Sequence, residues 1–127
     1  MLTHGDFTPR NLLISDGPNP RIAAIIDFER ARIADPMVDF AMVAYKEFLS
    51  GGGIKEAVLS GYLAHRALPA GADLLLEMHL LELFLEIAGW AINDDKEYFN
   101  RMIAALERLL AQDPIFRLSA EPTSADE

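Results

Sequence analysis

The chain has no cysteine. Thiol catalysis, disulfide cross-links and cysteine-ligated metal sites are therefore excluded, and a reducing compartment fits. It also lacks an excess of positive charge. Eleven Lys and Arg stand against 20 Asp and Glu, a formal charge of −9, which argues against nucleic-acid binding because that needs a basic face. Nor is there a long uncharged apolar run. The most apolar stretch, LLLEMHLLELFLEIAGWAI, is broken by Glu77, His79, Glu82 and Glu86 and falls short of the roughly 18 uncharged residues of a membrane span. No basic stretch followed by an apolar run opens the chain, so no signal peptide is expected. These absences point to a cytoplasmic protein with no membrane partner.

What remains is 127 residues, 51% of them hydrophobic. A chain of this length buries roughly two thirds of its unfolded surface, and this apolar content must be covered inside the chain or against a further piece of protein.

Residues 12 to 15, Leu-Leu-Ile-Ser, read as a short strand. DGPNP follows, dense in turn formers, and RIAAIIDF reads as a second strand ending in Asp27. Together they predict a hairpin from about Asn11 to Phe28. In ADPMVDFAMVAYKEFL, Asp35 can cap a helix and Pro36 suits its first turn. Met37, Phe40, Ala41, Ala44 and Phe48 then recur at helical spacing. SGGG at 50 to 53 ends that helix. Further helices are expected over Ile54 to Arg66, about Ala72 to Ile92, and about Asp95 to Ala111. The expected architecture is mainly α with a small β-hairpin, an α+β arrangement. Residues 1–113 form one lobe, with a site segment at 3–30 and a helical part at 35–111, and residues 114–127 form a polar, disordered tail.

The chemistry-bearing residues gather at the hairpin. His4, Asp6 and Asn11 precede its first strand and Asp27 ends its second, so the hairpin should bring Asp6, Asn11 and Asp27 together. Two carboxylates and an amide oxygen suit a hard cation such as Mg²⁺. Asp-x-x-x-x-Asn is the spacing of kinase catalytic loops, and Asp-Phe one hairpin later is where kinases keep a metal ligand. The rival readings are capping and turn residues with no chemistry, or a metal hydrolase using His4, Asp6 and Asp27. The hydrolase reading leaves Asn11 unexplained.

HGDFTPRNLL at 4–13, followed by IIDFERARIADPMVDFA, resembles the C-terminal lobe of the aminoglycoside phosphotransferase family, over about Leu2 to Ala44. The resemblance implies the C-terminal lobe of the protein-kinase-like fold. It also implies Mg²⁺- and ATP-dependent transfer of a phosphoryl group to a hydroxyl of a small molecule, typically an aminoglycoside antibiotic. It makes Asp6 the catalytic base, and Asn11 and Asp27 the residues that hold Mg²⁺ and, through it, the nucleotide. His4 becomes a structural brace, Asp39 a helix-borne anchor of the loop, and Phe28 a side chain packed beneath the metal site. Asp39 read by itself is equally an exposed helix acid.

Three positions depart from the protein-kinase pattern. Thr8 stands where serine kinases carry lysine, Arg10 where many family members have a small residue, and Glu29 where Asp-Phe-Gly has glycine. Arg10 reads first as a solvated surface residue. The resemblance further implies an N-terminal, ATP-gripping lobe that is missing here. GGG at 51–53 lies between helices and is no substitute for a phosphate loop. The chain is therefore expected to be the back half of an enzyme, completed by that lobe or by a dimer partner. The alternative is a truncated, inactive remnant or binding module.

The long helix reads as mostly buried, with one polar stripe of His79, Glu82, Glu86 and Trp90 within about 80° of arc. That stripe is first a solvent face. Its acid and tryptophan, Glu86 and Trp90, also suit a cationic substrate by charge and cation–π contact.

Overall fold

The computed structural model describes residues 1–118. Four helices form the body: α1 Met37–Ser50, α2 Ile54–Leu63, α3 Ala72–Asp94 and α4 Lys96–Leu110. Two short antiparallel strand pairs accompany them. Strands β1 Leu2–Thr3 and β4 Arg32–Ile33 pair Leu2 with Ile33 and Thr3 with Arg32. Strands β2 Leu12–Ile14 and β3 Ile22–Ile25 form the hairpin, Leu12 opposite Ile25 and Leu13 opposite Ala24, with an irregularity between Leu13 and Ile14. The mainly helical α+β expectation holds. Among the described residues no helix is long and apolar enough to cross a membrane.

The helix boundaries follow the punctuation in the sequence. Asp35 Oδ1 accepts from the Met37 amide (2.9 Å) and Pro36 occupies the cap of α1. Asp95 lies just outside α4 and caps it, accepting from the Tyr98 amide. Helix α2 stops at Leu63, three residues before the expected Arg66.

The core is built on α1 and α3. Phe84 is fully buried among the rings of Tyr45, Phe48 and Phe116, with centroids 5.5–6.4 Å away. Phe116 corrects the expected lobe boundary at 113. A 3₁₀ turn at Pro114–Phe116 and then Leu118 pack into the core, both side chains buried. Lys55 Nζ holds this turn by donating to the carbonyls of Pro114 and Ile115 (3.3 and 2.6 Å), and the Leu118 amide donates to Asp73 Oδ1. Only residues 119–127 of the expected tail fall outside the described residues.

A second correction concerns α3. It buries one face, on Leu76, Leu80, Phe84 and Ala91, while Leu74, Met78, Leu81, Leu85 and Ile92 are exposed. Apolar residues at nearly every position gave the sequence no phase from which to read the buried side.

Glu47 joins α1 to α2. This buried carboxylate accepts from the amides of Gly53, Ile54 and Lys55 (2.9, 2.7 and 3.3 Å), satisfying donors that α2 leaves open at its N-terminus. The Gly53 amide holds its pKa below the ordinary 4.5. Burial opposes this, and the Lys55 and Ile54 amides and the Lys55 charge reinforce it. A carboxylate with a lowered folded pKa stabilises the fold above the unfolded value, and that stability is lost as pH falls through the folded value. Glu47→Gln is therefore expected to cost about 1–2 kcal/mol at neutral pH. The deficit should shrink in acid, as the wild-type carboxyl protonates. Urea unfolding of both proteins at neutral pH and at about pH 3, below the ordinary carboxylate range, measures this. An equal deficit at both would refute the assignment.

Candidate catalytic loop and acceptor cavity

Residues 4–31 run between β1 and β4, so that strand pair closes the site segment at its base. Thr3 Oγ1 donates to the Arg32 carbonyl and the Ala34 amide to the Met1 carbonyl, both at 2.9 Å. Gly5 follows with φ of +82°, a conformation glycine adopts without steric cost. Pro9 then starts a 3₁₀ turn over Pro9–Asn11, which folds Asn11 back over Asp6. The Asn11 Nδ2 group donates to the Asp6 carbonyl (2.9 Å) and to Asp6 Oδ2 (3.1 Å). Asn11 is buried. Its amide nitrogen is committed to Asp6, which leaves its Oδ1 as an acceptor for a cation.

His4 ties this loop to the hairpin. Its Nε2 lies 2.8 Å from the Ile26 carbonyl, and the Asp6 amide donates to its Nδ1 (3.2 Å). A carbonyl accepts and an amide donates, so the geometry fixes the proton on Nε2. Both nitrogens are occupied, which removes His4 from the metal set of the hydrolase reading. Phe28 packs on the imidazole with centroids 4.5 Å apart, while remaining half exposed.

Asp39, in the first turn of α1, accepts from the His4 amide on Oδ2 (2.9 Å) and the Gly5 amide on Oδ1 (2.8 Å). Asp27 does not end β3, which stops at Ile25. It stands two residues beyond, exposed, with φ of +65°. A non-glycine residue there costs on the order of 1–2 kcal/mol, and such strain clusters at functional sites. Asp27 makes no hydrogen bond or ion pair among the described residues, so both its oxygens are open. With Asn11 Oδ1 it offers the all-oxygen donors that Mg²⁺ prefers. Among the described residues, no three His, Asp or Glu side chains gather as a metal site.

The Thr8 hydroxyl is buried without a hydrogen-bond partner among the described residues. A cation that the sequence reading missed lies within electrostatic reach of the loop's Asp6 and Arg10. Lys46 on α1 has a lowered pKa, by burial first and then by the Arg10 charge, with Asp6 acting in the opposite sense. Its signal was present: Lys46 lies seven residues, two helical turns, after Asp39.

Beside the loop is a cavity of about 240 Å³. Gly5, Arg30 and Arg32 line one side, and His79, Glu82 and Glu86 of α3 the other. His79 Nε2 is 2.7 Å from Asp35 Oδ2, and its Nδ1 is 3.8 Å from Glu82 Oε2. Glu86 thus faces this cavity. Trp90 does not: it lies half exposed against the Tyr98 ring, 5.7 Å between centroids.

A model of the phosphotransferase enzyme family matches residues 1–75, which takes in the catalytic loop, hairpin, α1 and α2. No curated protein and no solved structure matches the chain.

Proposed function

The chain belongs to the phosphotransferase enzyme family, and from that premise we propose that it is the C-terminal catalytic lobe of a small-molecule kinase with the protein-kinase-like fold. The reaction is ATP- and Mg²⁺-dependent transfer of the γ-phosphoryl group to an acceptor hydroxyl. The observation that carries this reading is the Asp6–Asn11 pair, held together by two hydrogen bonds and braced from behind by His4 and Asp39.

Phosphoryl transfer asks the protein for positioning and charge neutralisation more than for covalent chemistry. Asp6 is the group that accepts and orients the acceptor hydroxyl, which needs only hydrogen-bond reach. Asn11 Oδ1 and Asp27 are the residues to hold Mg²⁺, which when bound neutralises nucleotide phosphate charge. The acceptor enters the cavity between the loop and α3, where Glu86 faces a cationic group; Trp90 has no part in it. The exposed apolar side chains of the hairpin, Leu13, Ile14, Ile22, Ile25 and Ile26, support the docking of an N-terminal, ATP-gripping lobe on this face.

Calorimetric titration of the chain with ATP, with and without Mg²⁺, tests the reading. Nucleotide binding is expected to require Mg²⁺. Asp27→Asn should weaken it about tenfold or more, the loss of one charged contact. Asp6→Asn should leave nucleotide affinity nearly unchanged and lower transfer to an acceptor by about 10²–10⁴-fold. Nucleotide binding indifferent to Mg²⁺ and to Asp27→Asn favours the remnant or binding-module alternative.

A further inference from the structure

We infer that the acceptor is a small zwitterion, a hydroxylated molecule of amino-acid size carrying one ammonium and one oxyanion group. The inference rests on the phosphotransferase reading and specifies the chemistry that its acceptor cavity selects.

The first observation is the charge of the lining. Arg30 and Arg32 approach from the segment that leads into α1, while Glu82 and Glu86 approach from α3. Opposite charges sharing one surface cavity ordinarily pair. Here the side chains of Arg30, Arg32 and Glu86 make no ion pair or hydrogen bond among the described residues, and the carboxylate of Glu82 has only the 3.8 Å approach to His79. Each sign is thus left open on its own wall. Glu82 and Glu86 are also spaced i, i+4 on one helix, where like charges repel. A cation between them relieves that repulsion. Arg30 and Arg32 line the same cavity, and guanidinium binds carboxylate or phosphate through paired donors.

The second observation is size. Pockets for drug-sized ligands occupy roughly 300–1,000 Å³, and this cavity has about 240 Å³. A multi-ring polycation overfills it. Such a ligand also brings ammonium groups against Arg30 and Arg32, and like-charge juxtaposition discriminates against the wrong partner. The acids alone read as a site for a polycation; the arginines opposite them reverse that reading.

The third observation is position. Gly5 contributes to the cavity wall and is the residue before Asp6. The cavity thus adjoins the catalytic loop without being lined by Asp6 itself, and two opposite charges fix a bound molecule's orientation toward that loop as one cannot.

The test is binding to the 127-residue chain, read by calorimetry or NMR shifts at low ionic strength, where exposed charges are least screened. The probes are a short series of ω-hydroxy-α-amino acids, the matching amino alcohols and hydroxy acids, and kanamycin as a polycation. The best zwitterion is expected to bind about tenfold or more tighter than either half-molecule. Glu86→Gln should remove that gain and leave hydroxy-acid affinity unchanged. Arg30→Gln combined with Arg32→Gln should remove it and leave amino-alcohol affinity unchanged. Tighter binding of kanamycin, equal effects of both variants on both half-molecules, or no binding by any probe overturns the inference. Mg²⁺-ATP binding measured on the same samples separates the two ideas. If it persists without zwitterion binding, only the acceptor assignment falls; if it is absent while the zwitterion binds, the kinase reading falls and the acceptor assignment with it, leaving only a zwitterion-binding cavity.

Discussion

Gly5→Ala is expected to lower stability by about 2–5 kcal/mol and to displace the catalytic loop. Two costs add. Gly5 holds φ at +82°, and an L-residue with a side chain pays roughly 1–2 kcal/mol in the left-handed region. A Cβ placed there would also lie 2.9 Å from the carbonyl carbon and from the Cβ of Arg30, and closer still to the Arg30 carbonyl oxygen. Real Cβ atoms do not approach that near, and the principal obstacle is backbone, which does not swing aside as a side-chain end does. Overpacking of this kind costs typically about 1–3 kcal/mol. The turn carrying Arg30 toward β4 must move, or the Gly5 amide must leave Asp39. Either movement shifts Asp6, the next residue. Gly61→Ala is the control. Gly61 lies within α2 with nothing near its missing Cβ, so alanine there should stabilise by roughly 0.5–1 kcal/mol. Chemical denaturation of both variants measures the contrast. A Gly5→Ala protein as stable as wild type would mean that the close approach to Arg30 is not a feature of the folded loop.

Much of this site was legible in the sequence because its geometry is local. The spacing of Asp6 and Asn11 pointed to their pairing, and the 3₁₀ turn begun by Pro9 is what returns Asn11 to Asp6. Proline and glycine marked the helix ends for the same reason: they act through their own φ angles, whatever surrounds them. The features that escaped are those set by distant parts of the chain. Strands β1 and β4 have two residues each and are joined across some thirty residues, too short for alternation to show. Phe116 and Leu118 were hidden by the polar residues that follow them, although each has a buried place against the helices. Arg30 and Arg32 look like solvated surface in sequence, and only the fold sets them across a cavity from Glu82 and Glu86. The surroundings of Trp90 are likewise set by another part of the chain. Its angular position on α3 was right for the stripe, but α4 supplies Tyr98 as its neighbour, and nothing on α3 foretells that.

Replacing Asp39 is expected to have the other large effect, because one carboxylate holds two backbone amides. Hydrogen bonds to a charged group contribute about 1.5–3 kcal/mol each. Asp39→Ala, which deletes the bonds from His4 and Gly5 at 2.9 and 2.8 Å, should therefore cost about 3–6 kcal/mol. That is a large share of the roughly 5–15 kcal/mol that keeps a domain folded. Asp39→Asn is the sharper probe. The amide keeps one oxygen for one bond and turns an NH₂ group toward the other backbone amide, so about half the loss is expected with almost no change in volume. The location of the damage matters as much as its size. Asp39 anchors His4, and His4 in turn accepts from the Asp6 amide and meets the Ile26 carbonyl. Loosening should therefore begin at residues 4–6 and pass to the end of β3, while the packing of α3 on α4 persists. Native-state hydrogen exchange reads this directly. In Asp39→Asn the His4, Gly5 and Asp6 amides should lose protection by a larger factor than the core amides of Leu80 and Phe84. Uniform loss across the chain would make Asp39 an ordinary stabilising helix acid. Unchanged protection at His4 and Gly5 would remove it from the loop altogether. A selective loss instead makes it a positioning residue, one that acts on the acceptor hydroxyl only through the backbone that carries Asp6.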